Sequence, residues 1–247
     1  AGQSAISLQP PVGPFMVGNS TYVLESAVSG TPALKLILTA DPAEHYSNVN
    51  RYLPILLRAA ISLGQTLKGL EGIPELDPSW REIPSECRNS NSAKAPTAAS
   101  VWVHHGDFTI ENAFLDQESR VSLIDWEHAT SGAPSIYDAV NLLLSVLPAI
   151  DSPEIRQVSD FRDRLPLQFR EAFFTSNPLG KLLQSALKEA YEAFEEPRER
   201  WYDAFLVCLS IRAHYHGSRG SGHTPAYRKM VDMVCDLKDS FLASLPS

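Results

Sequence analysis

Three oxygen-bearing side chains flank one short predicted β-hairpin. Two apolar segments, residues 113–115 and 121–124, are separated by a polar turn, which is the pattern of two strands joined by a tight connection. Asp107 and Asn112 precede the first strand, and Asp125 follows the second. Because a hairpin returns the chain to the end where it started, we expect these three side chains to converge.

An aspartate, an asparagine and a second aspartate at one point suit magnesium-dependent phosphoryl transfer. Mg²⁺ prefers oxygen ligands and keeps part of its water shell. Asn112 and Asp125 would anchor the ion, while Asp107 would orient an acceptor hydroxyl and take its proton. Positioning and charge neutralisation supply most of the catalysis in such reactions. The alternative is a hairpin whose polar residues only cap turns.

Two short motifs contain these residues. The first is H-G-D at residues 105–107, followed after four residues by Asn112, and the second is I-D-W-E at residues 124–127. Together they resemble the catalytic loop and metal-binding segment of the aminoglycoside phosphotransferase and choline kinase family. Those enzymes are related to protein kinases, in which an H-R-D-x-x-x-x-N loop has the same role. The resemblance implies an ATP- and Mg²⁺-dependent phosphotransferase that acts on a hydroxyl of a small molecule.

The resemblance also implies roles for three further residues. The His105 imidazole would tie the catalytic loop to neighbouring backbone. Glu127 would be a carboxylate behind the metal ligands or on the substrate side. Asp138 would brace the catalytic loop through hydrogen bonds. An early-helix aspartate stabilised by the helix dipole is the alternative for Asp138 and predicts the same location.

The first 30 residues predict strands and an inter-lobe hinge. A hairpin is expected around Gly18-Asn19, and the segment after it resembles the hinge between the two lobes of this family. In that interpretation the Glu25 carbonyl and the Ala27 amide face adenine; the alternative is an edge strand and a loop. We therefore expect residues 1–30 to be a remnant of the N-terminal lobe and residues 31–247 to be the helical C-terminal catalytic and substrate lobe.

The phosphate-covering motifs of the smaller lobe are not found before Tyr22. Neither a G-x-G-x-x-G loop nor a V-A-I-K-like strand is present there, and the first lysine is Lys35. We expect the missing part of the lobe to come from the full-length chain; the alternatives are that it lies in another chain or that the protein has lost it. The alternative function is a kinase-like module that binds a nucleotide or another ligand without catalysis.

The rest of the chain predicts a mostly helical α+β fold. Apolar residues recur at steps of three and four between residues 49 and 70, which indicates an amphipathic helix. Four more helices are predicted at residues 158–175, 180–196, 198–216 and 225–244. By analogy with aminoglycoside kinases, some acidic residues of the stretch 192–203 would hold a cationic acceptor, but a solvated helix face is the favoured interpretation.

Composition limits the possible partners. The net charge of −8 argues against nucleic acid as the main partner, because phosphate backbones require a basic surface. No apolar run approaches the roughly 20 residues that cross a membrane. The three cysteines Cys87, Cys208 and Cys235 are odd in number and widely spaced, so neither a zinc site nor a disulfide framework is expected. Cys208 and Cys235 are predicted core residues, and the cytoplasm is the predicted compartment.

Overall fold

The computed structural model describes residues 28–80, 87, 102–218 and 224–244 with their side chains, and the backbone alone of residues 6–7, 12–17, 20–24 and 81. Its strands are β1 Ile6–Ser7, β2 Val12–Val17, β3 Ser20–Leu24, β4 Thr31–Pro32, β5 Val103–His104, β6 Ala113–Leu115, β7 Val121–Leu123 and β8 Thr130–Ser131. Its helices are α1 Ala33–Ile37, α2 His45–Leu67, α3 Tyr137–Val146, α4 Pro153–Arg156, α5 Phe161–Phe174, α6 Pro178–Ala193, α7 Trp201–Ser218, α8 Thr224–Asp236 and α9 Lys238–Ser244. The described part of the chain is therefore α+β and mostly helical, as the sequence predicts.

The central hairpin lies in a four-stranded sheet of order β1-β7-β6-β4. Strands β6 and β7 run antiparallel, with Ala113 opposite Leu123 and Leu115 opposite Val121. Strand β4 pairs antiparallel with β6, and β1 pairs in parallel with β7. The predicted hairpin is confirmed, with its second strand one residue shorter than expected.

The first strands agree with the predicted hairpin near the start of the chain. Strands β2 and β3 are antiparallel, and Val17 pairs with Ser20. Gly18 and Asn19, the predicted turn positions, lie outside the described residues. Glu25 and Ala27, which are predicted to face adenine, lie outside the described residues. The division of the chain at residue 30 stays a prediction.

Helix α2 begins earlier than the sequence pattern predicts. It starts at His45, whereas the apolar periodicity begins near residue 49. The difference arises because Asp41 caps the preceding helical turn, where its Oδ1 accepts the backbone N–H of Ala43 at 2.9 Å. Pro54 lies inside the helix and not in its first turn. The buried face of α2 follows the predicted spacing as far as Leu63 and comprises Val49, Leu53, Leu56, Leu57, Ala60 and Leu63. The helix ends at Leu67, so Leu70, the last residue of the predicted stretch, lies outside it and is exposed.

The C-terminal helices occupy the predicted regions, with one division. The last predicted helix separates into α8 and α9 at Leu237. Helix α7 is apolar on almost every side and nearly all of its first thirteen residues are buried, as expected of a helix enclosed by others. Helix α8 packs along it. The surrounding core contains an aromatic cluster formed by Phe169, Phe173, Phe205 and Phe241.

The interpretation of the cysteines was wrong for two of the three. Cys87 and Cys235 form a disulfide across 148 residues of sequence, which joins α8 to the segment after residue 81. Cys208 is free and buried, as predicted. The pairing was missed because spacing along the chain carries no information about a contact between such distant segments. Disulfides are rare in the reducing cytosol, so this bond would be unusual in the predicted cytoplasmic compartment. The compartment stays a prediction.

Among the described residues, none of the helices combines the length and the apolar character that a membrane span requires.

Candidate active site

The Asp107 carboxylate and the Asn112 amide are in direct contact. Nδ2 of Asn112 donates to Oδ2 of Asp107 at 3.1 Å and to the backbone oxygen of Asp107 at 3.0 Å. These bonds close the loop that leads from β5 into β6. Because the amide nitrogen is directed at Asp107, the amide oxygen of Asn112 is left to accept from, or coordinate, another group.

The hairpin returns the chain to Asn112, as its pattern predicts. The backbone oxygen of Asn112 accepts the N–H of Ile124 at 3.1 Å, and Asp125 is the next residue. Asp125 has φ 64° and ψ 58°, a left-handed conformation that is uncommon for residues other than glycine. The left-handed conformation costs on the order of 1 kcal/mol of conformational free energy. Such conformations cluster at functional sites, where the surrounding structure maintains them.

His105 lies between the two halves of the site. Its Nε2 donates to the backbone oxygen of Ile124 at 2.9 Å, and its Nδ1 accepts the N–H of Asp107 at 3.3 Å. Burial lowers the pKa of His105 below its ordinary value of 6.5, although the charges of Asp138, Asp107 and Asp125 oppose that effect. The ring is therefore a neutral connector between the Asp107 loop and the hairpin end, which agrees with the structural role that the resemblance implies.

Helix α3 braces the backbone of the same loop. Oδ2 of Asp138 accepts the N–H of His105 at 2.8 Å, and its Oδ1 accepts the N–H of Gly106 at 3.0 Å. One turn further along α3, Asn141 Nδ2 donates to the Gly106 oxygen at 3.2 Å. After another turn, the Ser145 hydroxyl accepts the N–H of the loop residue Ile110 at 3.1 Å. These three side chains share one helix face because residues three and four apart are neighbours.

Asp138 is fully enclosed and keeps its charge. Burial alone would raise its pKa, but the contacts with His104 and His105 lower the pKa on balance. The ring of His104 is itself buried, with Nδ1 3.6 Å from the Asp138 carboxylate and Nε2 within 3.4 Å of the Ala133 oxygen. His104 is therefore a packed histidine.

Gly106 allows the loop to approach the segment after the hairpin. It has φ 83°, and a Cβ at this position would lie 1.9 Å from the backbone oxygen of His128. An alanine here would combine backbone strain with a clash against backbone. The glycine of the H-G-D motif is therefore required by local geometry.

A group of candidate metal ligands follows the hairpin. Asp125, Glu127 and His128 have ligand atoms that all lie within 4.8 Å of one another. Glu127 Oε1 is 2.8 Å from His128 Nε2, and the Glu127 side chain is 61% exposed. The cluster therefore offers carboxylate oxygens beside Asp125, and Glu127 faces solvent, where a substrate could reach it.

The comparison with protein families matches this part of the molecule. The family model described as "Phosphotransferase enzyme family" matches residues 39–174, which is more than half of the chain and includes both motifs. The chain belongs to this family. The resemblance found in the sequence is thereby confirmed, and phosphotransfer is the general activity that membership indicates. Searches of curated proteins and of solved structures gave no match.

An arginine that the sequence interpretation does not include also contacts the candidate site. Arg212 of α7 donates from Nη1 to Oδ1 of Asp107 at 2.8 Å, and the arginine and aspartate side chains are 8% and 19% exposed. Burial lowers the pKa of Arg212, but attraction to Tyr227, Tyr137 and Asp107 outweighs it and raises the pKa on balance. The arginine is therefore a permanent cation beside the loop.

The acidic stretch predicted to hold a cationic acceptor is partly occupied by internal contacts. Glu192 pairs with Lys188 at 3.6 Å, and Glu196 pairs with Arg200 at 3.7 Å and accepts from Ser135 at 3.2 Å. These contacts favour the simpler interpretation of a surface stabilised by its own charges.

Asn141, Ser145 and Arg212 are the site residues that sequence reasoning missed. Asn141 and Ser145 could have been found from their helical spacing to Asp138. Arg212 offers a weaker signal, which is an arginine within the apolar middle of α7, where the other charged residue, Asp203, lies in the first turn; an arginine is seldom buried unless it is paired.

Proposed function

We propose that this protein is an ATP- and Mg²⁺-dependent phosphotransferase that transfers a phosphoryl group to a hydroxyl of a small molecule. The proposal includes the finer fold assignment, in which the helical region is the C-terminal lobe of a protein-kinase-like fold. The observation that carries it is the Asp107–Asn112 contact beside a hairpin that leads directly to Asp125. Family membership supports phosphotransfer in general, and this arrangement supports the more specific reaction.

The donor set fits Mg²⁺. Asn112 directs its amide nitrogen at Asp107 and so presents its amide oxygen elsewhere. Asp125 is held in its left-handed conformation directly after Ile124, whose N–H donates to the backbone oxygen of Asn112. Oxygen atoms from an amide and a carboxylate are ligands that Mg²⁺ accepts, together with water and phosphate. When bound, the ion would neutralise charge on the phosphates. Glu127 would act behind these ligands or toward the substrate.

Asp107 would orient the acceptor hydroxyl and accept its proton. Each of its carboxylate oxygens has two lone pairs, so contacts with Asn112 and Arg212 leave acceptor capacity on both. The neutral His105 fixes the adjacent backbone and adds no competing charge. Asp138 would be a brace for the loop, without contact to the reacting atoms.

Two other parts of the proposal have separate origins: the adenine contacts come from the family resemblance, and the compartment and the excluded partners come from composition. Adenine would lie against the Glu25 carbonyl and the Ala27 amide, and the chain would act in the cytoplasm without nucleic acid or membrane partners. The candidate acceptors are an aminoglycoside, choline, a sugar, homoserine and a macrolide.

Matched aspartate variants test the assignment. Phosphoryl transfer from radiolabelled ATP would be measured with Mg²⁺ and a panel of kanamycin, choline, glucose, homoserine and erythromycin. Asp107→Asn should lower kcat by about 10²–10⁴-fold, the usual contribution of a general base. Asp125→Asn should weaken Mg²⁺ binding and so raise the Mg²⁺ concentration that half-maximal turnover requires. Asp232→Asn on the exposed face of α8 is the control. Equal turnover in all three variants would refute the assignment.

The Arg212–Asp107 ion pair favours a second candidate function, a binding module without catalysis. Arg212 already occupies part of the acceptor capacity of the Asp107 carboxylate, which leaves fewer positions for an acceptor hydroxyl. Calorimetry with ATP and Mg²⁺ separates the candidates. Binding of the nucleotide without transfer to any acceptor of the panel, or to water, would favour the binding module.

A further inference from the structure

We propose that Arg212 is a positioning residue, which fixes the orientation of the Asp107 carboxylate for phosphoryl transfer. This inference rests on the proposed function, in which Asp107 meets the acceptor hydroxyl. It assigns a role to a residue of α7, 105 positions away from the catalytic loop in sequence.

The Asp107 carboxylate is held at both of its oxygens. Arg212 donates to Oδ1 at 2.8 Å, and Asn112 donates to Oδ2 at 3.1 Å. A single contact would leave the carboxylate free to rotate, whereas two contacts at different oxygens define its plane. The backbone beneath it is fixed separately, through the neighbouring residues His105 and Gly106. The loop bonds therefore set where Asp107 lies, and Arg212 sets how its carboxylate is turned.

Arg212 is itself held in place by aromatic rings. Its guanidinium carbon lies 5.2 Å from the ring centre of Tyr215 on the same helix and 5.6 Å from that of Tyr227 on α8. Tyr227 also stacks on His216, with ring centres 4.9 Å apart. A planar guanidinium suits such packing better than an ammonium group does. The cation that contacts Asp107 therefore has a defined direction.

Stability alone does not account for a buried arginine here. A buried charge costs desolvation, and an ion pair recovers that cost only when its remaining donors are also satisfied. Within the described part of the chain, Nε of Arg212 is buried without a hydrogen-bond partner, and its one hydrogen bond goes to Asp107. An apolar side chain would be expected to pack there at similar or lower cost. The contact that distinguishes arginine from such a residue is the one with Asp107.

Two variants at this position and one elsewhere test the inference. Arg212→Met removes the charge, and Arg212→Lys keeps the charge but loses the planar fork. Arg228→Met, on the exposed face of α8, removes the same charge without a contact to the site. Phosphoryl transfer by each variant would be assayed with whichever of the five candidate acceptors the wild type phosphorylates, or with water as the acceptor. Thermal unfolding would be recorded in parallel.

Arg212→Met should lower kcat by about 100-fold, the scale of a small misplacement of a catalytic group. Its KM for ATP should change less than threefold, because the nucleotide ligands are unaltered. Arg212→Lys should recover part of kcat, and so should millimolar guanidinium ion added to Arg212→Met. Arg228→Met should retain wild-type values of kcat and KM.

The failures of the two proposals are distinguishable. If the wild type transfers phosphate and Arg212→Met equals Arg228→Met in kcat, the positioning role is overturned while the phosphotransferase assignment stands. A change confined to the KM of the acceptor would also overturn it, because the arginine would then bind substrate. If both Arg212 variants unfold, the residue is structural. A wild type without any transfer, even to water, overturns both proposals.

Discussion

Helices α3 and α7 hold the same catalytic loop in different ways. Helix α3 binds the backbone through three polar side chains that repeat along one face, and the segments it joins are 32 to 35 residues apart. Helix α7 binds one carboxylate through Arg212, from 105 residues away. The first arrangement places the loop, and the second orients a single group within it. The two can therefore be disturbed separately.

The difference implies different costs of mutation. Loss of an α3 side chain leaves buried backbone groups without a partner, which lowers the free energy of unfolding. Loss of Arg212 leaves a carboxylate that is 19% exposed and still in contact with Asn112. We expect α3 variants to lose stability and turnover together, and Arg212 variants to lose mainly turnover.

The largest expected effect is that of Asp138→Ala. It removes the acceptor of two buried N–H groups, those of His105 and Gly106, and should lower the free energy of unfolding by about 3–5 kcal/mol. Urea denaturation monitored by circular dichroism gives this value. Turnover should fall as well, because the loop that contains Asp107 loses its support.

Asp239→Ala is the matched control for Asp138→Ala. Asp239 is an exposed aspartate in the first turn of α9, so it has the same favourable position relative to a helix dipole but braces no loop. Its replacement should cost about 0.3–1 kcal/mol. Equal losses at residues 138 and 239 would mean that Asp138 acts only through the dipole.

The disulfide should stabilise the α7 side of the site. Because α8 packs on α7 and carries Cys235, the bond to Cys87 restricts the helix pair that holds Arg212. Replacing both cysteines by serine should lower the free energy of unfolding by about 2–5 kcal/mol, as for other native disulfides.

Reduction provides the test of this prediction. Dithiothreitol should lower the Tm of the wild type toward that of the double serine variant and leave the variant unchanged. A wild-type Tm that is insensitive to the reductant, together with three titratable thiols in the unfolded protein, would show that the bond does not form in solution.

The brace should weaken along α3 from its first turn to its last. Ser145→Ala removes the acceptor of a single N–H, that of Ile110, and should cost about 1–2 kcal/mol. Ser244→Ala is the control, because Ser244 also donates to a carbonyl three residues earlier but, within the described part of the chain, accepts no backbone N–H. A loss at residue 145 equal to that at residue 244 would contradict a brace at this position.

The parts of the site that are close in sequence were the parts that could be predicted. The hairpin was predictable because alternating apolar residues and a polar turn are local signals, and they are correct to within one residue at Leu123. The positions of Asp107, Asn112 and Asp125 at its ends followed directly. The left-handed backbone of Asp125 did not, because aspartate occurs in many conformations.

Contacts between distant segments could not be predicted. Nothing near Arg212 indicates that its partner is Asp107, and nothing near Cys87 indicates Cys235. Such contacts depend on how α7 and α8 pack against the rest of the fold, and helical periodicity does not determine that packing. The backbone brace was predictable in part, since Asp138 was assigned a bracing role from the resemblance.

The smallest expected effect concerns His105 and pH. Its folded pKa lies below 6.5 because burial disfavours the charged ring. Between the folded pKa and pH 6.5, His105 therefore binds a proton more readily in the unfolded chain than in the folded protein. The contribution of the neutral ring to the free energy of unfolding is complete above pH 6.5 and is lost as pH falls toward the folded pKa. Asp138 does not contribute in this window, because its pKa lies below 3.8.

His105→Gln isolates the contribution of this histidine from those of the other six in the chain. Glutamine keeps an N–H that can reach the Ile124 oxygen but has no titrating ring. The free energy of unfolding would be measured in urea between pH 7.5 and 5.0 for both proteins. The wild type should lose more stability than the variant over this interval, and parallel curves would show that protonation of His105 is not linked to folding. A steeper wild-type curve would mean that the connector between the loop and the hairpin must remain neutral for the site to keep its shape.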